Sequence, residues 1–150
     1  MNYEIVELEE KMIEGIEIKT TNQDGKSMQD IAKTWQRFLA EGMYEKIRNK
    51  VNHKTIGLYT DYEGDYTKPY LFVAGAEVSQ KSDQNYKIIE KGKYAKFVII
   101  GDVQNSVGQA WQVIWNMNLK RKYTCDFEEY QNNSEDRQKQ EIHIYIALED

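Results

Sequence analysis

The chain has few of the residues that staple, kink or coordinate: one cysteine, one proline and two histidines in 150 residues. A single thiol, Cys125, excludes an intramolecular disulfide, and with no Cys–His–acid arrangement around it, Cys125 reads as a small strand residue rather than a nucleophile. His143 and His53 stand far apart in the sequence, so no metal-ligand pattern forms, and neither a metal nor another cofactor is expected. No window approaches the ~20 consecutive apolar residues of a membrane-spanning helix, and the N-terminus lacks the apolar core of a signal peptide. A cytoplasmic location is expected. Charge of one sign is nowhere concentrated: 25 acidic and 20 basic residues are interspersed, for a net charge of −5. That mixture argues against direct nucleic-acid and membrane partners.

What the chain has in abundance is aromatic surface, with eleven tyrosines beside three tryptophans and four phenylalanines. Tyrosine suits strands, and it also furnishes walls for flat ligands. The length fits one domain, 1–150.

Read in order, Ile16 and Ile18 alternate with charged neighbours in a strand ending near Thr21, and Asn22 to Lys26 is a turn. Ser27 and Asp30 have the form of a capping box, and Ile31, Trp35, Phe38, Leu39 and Gly42 follow with helical spacing. After the polar run Glu45 to Lys54, Thr55–Tyr62 and Tyr70–Val78 are β-like, and Pro69 opens the second without removing a ladder hydrogen bond. Ser79 to Asn85 is a loop. The pattern then restarts: a strand within Tyr86–Gly101, a helix through Val107, Ala110, Trp111, Ile114 and Trp115 with Asn105 or Ser106 as N-cap, and two closing strands.

Those closing strands hold the chemistry. In YTCDFEEY, alternation puts Asp126, Glu128 and Tyr130 on one side and Cys125, Phe127 and Glu129 on the other. In EIHIYIALED, Ile142, Ile144, Ile146 and Leu148 alternate with Glu141, His143, Tyr145 and Ala147. Were the strands antiparallel neighbours, Glu128, Tyr130 and Tyr145 could share one surface.

The restart is an internal duplication. Lys33–Thr34–Trp35–Gln36 answers Gln109–Ala110–Trp111–Gln112, and Tyr59 to Glu63 with Tyr66 answers Tyr123 to Glu128 with Tyr130. Two βαββ units, about 1–80 and 81–150, are expected to pair into one continuous antiparallel sheet: an α+β fold with two helices on one face and a ligand groove on the other. Trp111 is expected in the core, with Trp115 at the stripe's edge.

The double βαββ plan, the GKYAKF segment, the helix with Trp111 and Trp115, FEEY and the closing EIHIYIAL together resemble the GyrI-like, or AraC-type effector-binding, domain over essentially the whole chain. The resemblance implies a groove between the halves that holds small, hydrophobic, cationic aromatic molecules, with an acid ringed by aromatics. The family's FExY pattern falls on Phe127, Glu128 and Tyr130, which makes Glu128 the implied buried carboxylate. Tyr130, Tyr145, His143, Trp115 and Tyr94 are the further ligand-binding candidates, with Glu63 and Tyr66 as first-half echoes. Where the family commonly has a proline near the end of the last strand, this chain has Ala147, a change expected to affect only an edge. No helix-turn-helix pattern is present, so a stand-alone effector-binding domain, monomeric or weakly dimeric, is expected. Two other functions stay open. One is hydrolysis of reactive electrophiles by Glu128 with a tyrosine, Tyr130 or Tyr145. The other is a protein partner, a regulatory protein or DNA gyrase.

Overall fold

A computed structural model describes residues 1–82 and 85–150; the expected loop Ser79–Asn85 includes positions 83 and 84, which lie outside the described residues. Among the described residues eight strands form one sheet in the order β1-β6-β8-β7-β3-β4-β2-β5. They are β1 (Glu4–Leu8), β2 (Lys11–Thr20), β3 (Thr55–Thr60), β4 (Tyr70–Val78), β5 (Tyr86–Ile89), β6 (Gly92–Gly101), β7 (Arg121–Tyr130) and β8 (Gln140–Leu148). The helices are α1 (Lys26–Ala40), α2 (Met43–Lys46) and α3 (Val103–Trp115). Every pairing is antiparallel. The α+β class holds, as a curled sheet in which each half contributes strand, helix, strand, strand and the halves meet where β3 pairs with β7.

Each half also begins with a short strand that crosses to the other half. β1 pairs with β6 and β5 with β2, in one shared register interrupted at Glu9–Glu10 and Glu90–Lys91. The two apolar patches near the N-terminus are therefore two strands, and the reciprocal exchange draws the ends of the sheet toward each other. Beneath that ribbon Ile13, Leu58, Val73, Ile89, Tyr94, Phe127 and Tyr145 form the core of the concave face. Fully burying an Ile or Phe side chain contributes roughly 1.5–3 kcal/mol. On the opposite face α3 packs Ala110, Trp111 and Ile114 on Ile142, Ile144 and Ile146, and α1 packs Phe38 on Phe72 and Ala74.

Several local expectations are corrected. The Ser27–Asp30 capping box does not form: the cap is two residues earlier, a left-handed Gly25 before Lys26, Ser27 is buried, and the Asp30 carboxylate accepts from Thr20 Oγ1 at 2.8 Å. Asp102, not Asn105 or Ser106, caps α3, accepting from the Asn105 backbone N–H at 3.2 Å. Leu39 is exposed while Thr34 is buried, so the sealed stripe of α1 runs through Thr34 and Phe38. β8 lies between β6 and β7, not at an edge, and the Ala147 N–H donates to Asp126 Oδ1 at 2.9 Å, a bond proline would forbid.

Candidate functional site

At the seam, Gly57 of β3 stands opposite Glu128 of β7, and Tyr59 opposite Asp126. Tyr59, Glu128 and Tyr130 point to the face that carries the helices. There α1 and α3 flank a cavity of about 480 Å³. α1 contributes Met28, Ile31 and Trp35; α3 contributes Val107, Trp111 and Trp115; the floor is Tyr59, Glu128 and Tyr130; and Tyr62, Tyr66, Tyr70 and Arg121 complete the wall. The groove is thus between the helices, on their own face of the sheet. The expected opposite face is filled at the level of Glu128 by the concave core, in which Leu58 and Phe127 of the seam strands are buried. All three tryptophans of the chain line this cavity.

Glu128 is the polar centre. It is 1 % exposed and its carboxylate takes three neutral donors: Tyr59 Oη at 2.6 Å and Trp111 Nε1 at 2.6 Å on Oε2, and Tyr130 Oη at 2.7 Å on Oε1. Among the described residues no cationic side chain pairs with it. Burial pushes its carboxyl above the ordinary range, and the three donors offset that only in part. Burial beside the same carboxylate raises the Tyr59 and Tyr130 phenols well above theirs, so both remain protonated donors. Trp35 packs edge-on against Tyr130, with ring centroids 5.3 Å apart. Gly57 makes the arrangement possible, because a Cβ there would lie 2.9 Å from Glu128 Oε1 and 3.2 Å from the Trp35 ring.

A second buried group adjoins the cavity. Asp126, with no exposed surface, accepts from Tyr62 Oη at 2.6 Å and from Arg121 Nη2 at 2.8 Å, besides the Ala147 N–H. The Arg121 guanidinium lies over the Tyr123 ring at 4.4 Å and within 6.0 Å of the Trp111 ring centroid. Tyr123 reaches this place through a left-handed backbone (φ 58°) inside the irregular pairing between Arg121 and Asp126.

The expected site residues divide. Glu128, Tyr130, Tyr66 and Trp115 line the cavity, the last two stacked at 14° with centroids 6.1 Å apart. Tyr145, His143 and Tyr94 do not. The register sets Ile144 opposite Glu128 and Tyr145 opposite Phe127, so the isoleucines of β8 share Glu128's face and the phenol and imidazole turn away. Tyr145 stacks on Phe127 at 4.5 Å in the concave core, where Tyr94 donates to the Glu90 carbonyl at 2.6 Å. His143 bonds Glu141 at 2.6 Å beside Glu129. Glu128 and Tyr145 therefore cannot act on one substrate. Glu63 lies beyond the end of β3, exposed and paired with Lys19. Trp111, expected as core alone, is core and Glu128 donor at once. Trp35, Tyr59, Tyr62, Tyr70 and Arg121 were not among the expected residues. The matched Trp–Gln pairs carried the signal for Trp35 and Trp111, since equivalent residues of a duplicated unit flank the seam. Arg121 had none. Burial pushes the Cys125 thiol up, consistent with an inert strand residue. Among the described residues no cluster of His, Cys, Asp or Glu side chains is placed to hold a metal, and no helix is long and apolar enough to cross a membrane.

Residues 4–148 match the Cass2 family of integron-associated effector-binding proteins. The chain belongs to that family. Among solved structures it is similar to the Cass2 integron cassette protein from the mobile metagenome of Vibrio cholerae, at 26% identity and TM-score 0.77, covering 98% of this chain and 95% of that one. It is also similar to SAV2435, solved bound to tetraphenylphosphonium, at 21% identity and TM-score 0.83 over 99% and 94% of the chains; this likeness establishes the fold. Among curated proteins, "Putative transcriptional regulator protein YobU" of Bacillus subtilis (strain 168) is 27% identical over 153 residues, 96% of each chain. The resemblance to a GyrI-like effector-binding domain is thereby confirmed for the Cass2 chain as a whole.

Proposed function

We propose that this Cass2 protein binds small hydrophobic aromatic cations in the cavity between α1 and α3, as an effector-binding domain of the regulator-like kind. One observation carries the reading: a fully buried carboxylate, Glu128, sits in an aromatic cavity with three neutral donors and no cationic partner among the described residues. Desolvating a charge without a counter-ion is costly. A ligand cation supplies the missing charge, and Trp and Tyr faces add cation–π attraction of about 0.5–2 kcal/mol each. The tetraphenylphosphonium bound by SAV2435, a protein of the same fold, is a ligand of this class. Broad acceptance within the class follows, because charge sign and apolar bulk are less exacting criteria than a directional hydrogen-bond pattern.

The test is titration with tetraphenylphosphonium while tryptophan emission is recorded. Saturable quenching is expected. No binding, or equal binding by the Glu128→Gln variant, refutes the proposal.

A further inference from the structure

We propose that Arg121 forms a second, hydrogen-bond-donating pole of the cavity, so that the preferred ligands are monocations that also carry a neutral acceptor such as a carbonyl or ether oxygen. This rests on the cation-binding reading above and deepens it.

The Arg121 side chain is 6% exposed, and the residue lines the cavity. A guanidinium has five N–H donors. Among the described residues the hydrogen bond it makes is that from Nη2 to Asp126, and its Nε is buried with no partner. Buried donors are nearly always satisfied in proteins, so a guanidinium that keeps an unpartnered N–H beyond its ion pair with Asp126 points to an acceptor arriving from the cavity it lines. Both Asp126 oxygens are already engaged by Tyr62, Arg121 and the Ala147 N–H, and both Glu128 oxygens by Tyr59, Trp111 and Tyr130.

Counting charge fixes the kind of acceptor. Arg121 and Asp126 cancel, leaving the net negative charge of Glu128, which one ligand cation neutralises. A neutral oxygen therefore matches Arg121 better than a carboxylate, which would bring an excess negative charge into a dry site beside Asp126. Trp111 holds the two poles together: its Nε1 bonds Glu128 while the guanidinium lies 6.0 Å from its ring centroid. A ligand lying along that indole would meet a carboxylate toward one end and a donor toward the other.

The probes are tetraphenylphosphonium and (4-acetylphenyl)triphenylphosphonium, two monocations differing by one acetyl group, whose carbonyl is the acceptor. The readout is the ratio of their dissociation constants by calorimetry. Wild-type protein is expected to prefer the acetyl compound by about ten-fold, the size of a hydrogen bond from a charged donor. In Arg121→Met the ratio falls to about one. Because that variant leaves Asp126 buried and unpaired and can misfold, the double variant Arg121→Met with Asp126→Asn, which keeps the cavity's net charge, is measured as well and shows the same loss. If wild type binds both probes with a ratio near one, or if the double variant keeps the preference, the acceptor pole is refuted while cation binding stands. Failure of wild type to bind either probe refutes both.

Discussion

Replacing Glu128 by Gln removes one charge and almost nothing else, which makes its consequences calculable. The amide oxygen can occupy the Oε2 position and keep both the Tyr59 and Trp111 donors, while the Tyr130 hydroxyl turns to accept from the new NH₂ group. Shape, volume and packing are retained, and the desolvation cost of a buried charge disappears. Stability is expected to stay within about 1 kcal/mol of wild type or to rise. Ligand binding responds in the opposite sense. A cation about 4 Å from a carboxylate gains roughly 4 kcal/mol at an effective dielectric constant of 20. Part of that offsets desolvation of the ligand and the carboxylate, leaving about 1.5–3 kcal/mol of net charge–charge attraction. The affinity of tetraphenylphosphonium should fall about 10- to 150-fold. Triphenylphosphine oxide, similar in bulk but uncharged, should change by less than about three-fold. Because all three tryptophans line the cavity, their emission reports occupancy directly, and calorimetry supplies the affinity. Equal losses for both compounds would mean that the substitution altered the cavity rather than its charge. Unchanged affinity for the cation would refute the electrostatic role of Glu128 altogether.

Further predictions follow from the same geometry. Since the Glu128 carboxyl is raised above 4.5 by burial, cation binding should weaken as pH falls through that raised value, starting above the ordinary carboxylate range, and calorimetry across pH 4–8 should show a weakening that the Gln variant lacks. The sign for stability is opposite. Folded protein takes up this proton at higher pH than unfolded protein, so Glu128 costs stability above the raised value and that cost shrinks as pH falls toward 4.5, readable as the difference in urea midpoint between wild type and Glu128→Gln. Gly57→Ala places a Cβ 2.9 Å from Glu128 Oε1 and 3.3 Å from Phe72, and should lower stability by about 1–3 kcal/mol in urea titration together with cation affinity. Tyr145→Phe alters the opposite face of the sheet, and its affinity for tetraphenylphosphonium should stay within about two-fold of wild type; a larger loss would mean that the cavity communicates with the concave core.

Much of the plan was legible because period-two and helical apolar patterns recur in the same order twice, and short-range physics suffices for that. Which way each strand faces was not legible, because it depends on register. A shift of one residue between β7 and β8 would have put Tyr145 beside Glu128, as the alternation alone allowed. The pairing of Ile144 with Glu128 selects the other solution, and α3 supplies the reason: its Ala110, Trp111 and Ile114 need the isoleucine face of β8. Glu63 misled for a related reason. It matched Glu128 in a string of similar residues, yet β3 ends at Thr60, so the string continues into a loop in the first half and a strand in the second. Arg121 was hidden because a lone arginine at a strand start looks solvated until Asp126 and Tyr62 are seen around it.

The register at the seam explains why the site has one acid rather than two. The halves meet antiparallel, so side chains from β3 and β7 come face to face, and equivalent aromatic residues, Trp35 from one helix and Trp111 from the other, close over the seam. A second carboxylate opposite Glu128 would stand a few ångströms from it, where mutual repulsion raises one of them until it holds a proton and ceases to attract a cation. In this chain the position opposite Glu128 is Gly57. One half contributes the charge and the other contributes the space in which that charge and the Trp35 ring fit. With glycine rather than a second acid across the seam, Glu128 shares its proton with no neighbour and stays a single buried anion that a cation can neutralise.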